Sequence, residues 1–222
     1  MPKVPSEKRK EKNNWGNGKL FGAEKDENSF SGGGFKDKEK AQETIRLLEG
    51  RDPVYQYQVI NSMYNRAKVI FKRTTDQEKR KNLSEAVETL EAWVDDYKAH
   101  SRSKENYNYL NLEIVEMCKP LAERYGFTDF DFLKCYQDAE GDLKKLRVKK
   151  VPGKSITWDV ERNNRLKNIS KDMNDNHLPL YETSEPLRGL PTKEHTEMIM
   201  LGYSSDQSKL KKCLPLLKEK LQ

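Results

Sequence analysis

Between Ala41 and Tyr97 the apolar residues recur three and four positions apart. Ala41, Ile45 and Leu48 make one series. Ile60, Met63, Tyr64, Ala67 and Ile70-Phe71 make a second. Leu83, Ala86-Val87, Leu90, Trp93-Val94 and Tyr97 make the third and strongest. That spacing is the period of a helix with one buried face. No stretch of the chain alternates strictly over a strand length. The chain is therefore predicted to be all-α, an irregular multi-helix bundle of about seven to eight helices with a disordered N-terminal tail.

Composition sets the edges of that bundle. Charged residues are 35% of the chain and hydrophobic ones 34%, with a mean hydropathy of −1.01. Leu, Ile, Val and Phe together number 46 of 222, just above the ~20% at which disorder becomes the default. Part of the chain is thus expected not to pack. Residues 1–34 fit that description: they are rich in Lys, Glu, Asn, Ser and Gly and carry only isolated apolar residues such as Trp15, Leu20, Phe21 and Phe30. They read as a basic, Gly-rich tail. Residues 35–147 read as the bundle core, 148–156 as a basic linker, and 157–222 as a C-terminal helical segment, docked or separate.

Local signals mark the helix ends. Gly50 stops the first helix. Asp52-Pro53 opens the second, with Asp as N-cap and Pro in the first turn. Thr75-Asp76-Gln77-Glu78 reads as a capping box for the third. Thr128, Thr192 and Ser205 read as later caps. Pro120 and Pro215 fall inside helical patterns and predict a kink or a split.

Several function classes are excluded or weakened. No apolar run approaches the ~20 residues of a membrane helix, and no apolar segment follows the basic N-terminus. The cysteines are Cys118, Cys135 and Cys213, few, odd in number and far apart. They read as reduced thiols in a nuclear or cytoplasmic protein, neither secreted nor membrane-bound. Pro152-Gly153-Lys154-Ser155 resembles the end of a phosphate loop, but Val148 stands where the first glycine belongs. No CxxC is present, and His195-x-Glu197 lacks the cysteine half of a zinc deaminase signature. No nucleophile–base pair or acid pair stands out, so no catalytic residue, metal or cofactor is assigned, and the reading leans away from an enzyme.

Charge patterning points elsewhere. Residues 143–171 hold ten Lys and Arg against Asp159 and Glu161, a net +8 in a chain whose total is +6. Concentrated cations suit a polyanion. Lys144, Lys145, Arg147, Lys149 and Lys150 are the expected phosphate contacts, with Trp158 placed to stack on a base or sugar. A second helix with no acidic residue from Pro53 to Thr75 presents Arg66, Lys68 and Lys72 as a weaker candidate site. The leading expectation is a non-enzymatic protein binding DNA or RNA, or a complex containing it, through phosphates. The rival is a helical protein–protein adaptor with no direct nucleic-acid contact, binding for example an acidic protein. Its docking strip would include His177-Leu178-Pro179-Leu180-Tyr181-Glu182. The two part on charge geometry: acidic neighbours that neutralise the basic segment favour the adaptor.

Overall fold

The computed structural model describes residues 30–221. Among these, nine α-helices and a 3-10 turn carry the chain, and the only extended pairings are two isolated antiparallel bridges, Lys150 with Thr157 and Tyr181 with Pro191. The all-α class is as the periodicity predicts. The helix number exceeds the expectation because the chain between Phe127 and Val148 breaks in two at Ala139–Gly141. Glu140 and Gly141 there turn with φ of 55° and 73°.

Helices α1 (Lys38–Leu48), α2 (Pro53–Arg73) and α3 (Gln77–Ala99) pack as a three-helix unit. Their predicted stripes meet: Ala41, Leu48, Ile60, Met63, Ala86, Leu90 and Val94 form one buried cluster. Asp37 caps α1 by accepting from the Lys40 amide at 2.8 Å. The segment just before it belongs to this unit. Phe30 packs on the cluster, and both the amide and the carbonyl of Gly34 bond the Thr44 hydroxyl, at 2.7 and 2.8 Å. Gly33 permits this approach, since a Cβ there would meet Phe30 and the Met63 methyl. The part of the predicted tail up to residue 29 lies outside the described residues.

The 3-10 turn Arg102–Glu105 leads to α4 (Leu112–Arg124), α5 (Asp131–Asp138), α6 (Leu143–Val148), α7 (Trp158–Asp175), α8 (Lys193–Met200) and α9 (Gln207–Leu221). Two buried clusters hold them. In one, Val115, Cys118 and Leu121 of α4 meet Leu133, Ile199, Leu210, Cys213 and Leu217. In the other, Phe132 and Tyr136 of α5 meet Leu146, Trp158, Leu166 and Met198. The C-terminal helices α8 and α9 thus cover the apolar face of α4. Residues 148–156 form a closed turn, with Trp158 N donating to Lys149 O at 3.0 Å and Val151 N to Ile156 O at 3.0 Å.

Three caps differ from the sequence reading by one residue. Asp76, not Thr75, caps α3. Asp129 accepts from the Asp131 amide at the start of α5, where Thr128 was expected to act. Asp206, not Ser205, accepts from the Lys209 amide. A carboxylate beside a hydroxyl wins the position because its bond to an N–H is charge-assisted and favoured by the helix dipole. Thr192 does cap α8. Both prolines lie within continuous helices, so neither splits its helix.

Candidate functional site

The three-helix unit meets the rest of the molecule through charge. Asp52 stands at the start of α2, but its side chain makes no capping bond there. Asp52 accepts instead from Arg147 of α6 at 3.4 Å and Asn163 of α7 at 3.3 Å, and lies 3.7 Å from Arg162. Arg51 donates to Asp159 at 3.0 Å and to the Arg147 carbonyl at 3.1 Å. Asn163 also donates to the Gly50 carbonyl at 3.0 Å.

Arg162 is the centre of this hub and is fully buried. Its Nε donates to Leu201 O at 2.7 Å. Its terminal nitrogens donate to Tyr107 O, Asn163 Oδ1 and Gly202 O. The guanidinium lies 3.6 Å from the centre of the Tyr109 ring. One side chain therefore ties α7 to two loops and to the start of α2. Asp159 is equally buried, and burial pushes its carboxyl up against the pull of Arg51 and the Thr157 hydroxyl. Burial likewise pushes the Tyr109 phenol above its usual range. The carboxylates and arginines of the hub bond one another, which fixes the elements that carry them.

Beside the hub runs a groove of about 770 Å³, within the size range of ligand sites. One wall is Gly50, Arg51, Pro53 and Gln56 with Lys104, Glu105, Asn106 and Tyr107. The other is α7, through Asn163, Asn164, Lys167, Ser170 and Asn174. Met173, Leu178, Leu180, Met198 and Tyr203 supply apolar surface. A depression of about 350 Å³ adjoins it, sharing Pro53, Gln56 and Glu105 and adding Tyr97, His100 and Arg102. The larger one is a trough along the seam between the three-helix unit and α7.

Three of the five expected phosphate contacts meet carboxylates of the fold. Lys145 pairs with Glu140 at 2.6 Å, Arg147 with Asp52, Lys149 with Asp138 at 3.8 Å, and the nearby Lys154 with Glu161 at 2.7 Å. Arg147 also stacks 4.0 Å from the centre of the Tyr55 ring. Lys144 and Lys150 are exposed and, among the described residues, meet no carboxylate. Trp158 is 8% exposed and packs against Phe132. The stacking role assigned to it conflicts with this placement, because leaving the core would expose a large apolar ring.

On α2, Lys68 bonds the Tyr64 hydroxyl at 3.0 Å, and that hydroxyl bonds Glu91. The Tyr64 contact holds the Lys68 ammonium above its usual range. Arg66 lies 6.0 Å from the centre of the Phe35 ring, and Lys72 is exposed. This face is remote in sequence from the 144–150 segment.

Sequence reasoning missed the hub. One signal was present: Arg162 occupies the inward position between Trp158 and Leu166 in the sparse stripe of α7. A charge on an apolar stripe marks a buried, bonded side chain. The groove left no such trace, because its walls come from segments more than fifty residues apart. Among the described residues, no group of three or more His, Cys, Asp or Glu is arranged to hold a metal, and no helix is long and apolar enough to cross a membrane. No protein-family model matches the chain, and no curated protein is similar to it in sequence.

Proposed function

We propose that this protein is a helical protein–protein interaction module, and that its 144–150 segment is not a nucleic-acid contact. The observation that carries this reading is the neutralisation of that segment. Of its five cations, Lys145, Arg147 and Lys149 each meet a carboxylate supplied by the fold. Phosphate binding draws its strength from counterions released when free cations meet a polyanion. Cations already matched at close range give less of it. Trp158, expected to stack on a base or sugar, is committed to the core. The trough along the seam supports binding as the role, since it is large, open and lined by mixed polar and apolar groups.

The test is a titration of the intact chain with labelled single- and double-stranded DNA and RNA across a salt series. A variant carrying Lys144→Gln, Lys145→Gln, Lys149→Gln and Lys150→Gln runs beside it. Arg147 is left in place because it also holds Asp52. The expected result is weak binding that is equal in the two proteins. Tight binding with a steep salt dependence, reduced in the variant, returns the protein to the nucleic-acid reading.

A further inference from the structure

We infer that the seam trough binds an extended acidic segment of a partner protein, with one apolar side chain of that segment seated on the part-exposed Leu178 and Leu180. This rests on the interaction-module reading and names the chemistry of its partner. Three observations on the lining carry it.

The first is charge. Lys104 and Lys167 face the trough from opposite walls, both exposed, and among the described residues neither meets a carboxylate. The other cations of the lining are engaged, Arg51 with Asp159 and Arg102 with Asp96. Glu105 is the one acid in the lining. A ligand bringing carboxylates between the two lysines meets complementary potential that the fold itself leaves unmatched.

The second is the spread of amides. Asn164 and Asn174 stand on α7 with no hydrogen bond to another described side chain, and Gln56 uses its Nε2 on the Arg51 carbonyl, which leaves its Oε1 to accept. An amide side chain offers a donor and an acceptor together. That matches an extended peptide backbone, which presents both along its edge.

The third is shape. The two depressions lie side by side, with Pro53, Gln56 and Glu105 lining both. Leu178 and Leu180 are the part-exposed aliphatic residues of the trough's lining, with Met173 and Met198 buried in the core. Tyr107 and Tyr203 pack edge to face on each other at 4.9 Å. Two unpaired cations are few for a binding mode dominated by phosphates.

The experiment is selection of a random dodecapeptide display library on the intact chain. Selections on a Lys104→Glu/Lys167→Glu variant and on an Asn174→Trp variant run in parallel. Both substitutions lie at exposed positions, and matched circular dichroism spectra and melting temperatures establish that each protein is folded. The intact chain is expected to enrich peptides with Asp and Glu flanking a single Leu, Met or Phe. The charge-reversed variant is expected to bind those peptides at least tenfold more weakly and to select basic ones. Asn174→Trp, which fills the trough without altering charge, is expected to lose them also. Recovery of no peptide, or of peptides without acidic enrichment, overturns the inference. Acidic peptides bound equally by all three proteins also overturn it, while leaving the interaction reading intact. Tight nucleic-acid binding in the preceding titration removes that reading as well.

Discussion

The three-helix unit and its junction with α6 and α7 are held together in opposite ways. The unit is joined by aliphatic contacts, with Leu48, Ala86 and Leu90 fully buried between neighbouring helices. The junction is joined by Asp52, Asp159, three arginines and Asn163. Apolar packing is forgiving, since many arrangements bury similar area. A buried charge network is not, because each member left without its partner keeps the cost of lost solvation. The contrast suggests a division of labour: the helices are stabilised by burial, while the relative placement of the trough walls is specified by bonds. Gly50 and Asn163 both line the trough and bond each other directly.

The sharpest way to break the comparison is at Arg162. Arg162→Ala removes the bonds to Leu201, Gly202 and Tyr107 and leaves Asp52 with one cation fewer. It is expected to cost about 3–5 kcal/mol of stability. Urea denaturation followed by Trp93 in the unit and Trp158 outside it should then resolve two transitions in place of one. A single cooperative transition with unchanged midpoint is the result that removes the hub from its role.

Leu90→Ala is the matching cut within the three-helix unit. It is expected to cost about 2–5 kcal/mol through lost transfer energy and a residual cavity. Here the two tryptophan signals should stay coincident, since the junction remains intact. Splitting of the transitions in this variant would show that packing, and not charge, couples the regions.

A smaller effect comes from His195, far from the junction in character but equally buried. Its Nδ1–H donates to Leu180 O at 2.8 Å, and the Ser204 hydroxyl donates to its Nε2 at 2.9 Å. Burial holds this imidazole below its usual range. The unfolded chain takes up a proton near pH ~6.5, while the folded chain resists until lower pH. Its stability contribution is therefore complete above that value and is lost as pH falls toward the depressed folded value. Denaturation midpoints at pH values above and below it should differ more for the wild type than for His195→Gln. Equal pH dependence in the two proteins removes His195 from this role.

The smallest expected effect is at the surface. Lys145→Gln breaks an exposed pair with Glu140, and solvent screens such pairs strongly. Thermal melting should show no resolvable change. A clear loss would mean that the pairs of the 144–154 segment belong with the hub energetically.

Much of the architecture was legible in the sequence. The stripes of α1, α2 and α3 are the residues that meet in their shared core, and Gly50 and Thr192 act where local rules place them. Cap identities slipped by one residue where a carboxylate neighbours a hydroxyl. The site was far less legible. Lys144 to Lys150 look like one cluster because charge along a sequence has no direction. Folded, the helix and turn send Arg147 inward to Asp52 and Lys145 back to Glu140.

The sequence by itself determined the helices, because helical bonds and amphipathic stripes join residues three and four apart and the period is written locally. Only the tertiary structure decided which charges are matched. Arg51 reaches Asp159 across 108 positions and Asn163 reaches Asp52 across 111. Electrostatic pairing depends on distance and burial in space, and neither quantity exists until the chain has folded.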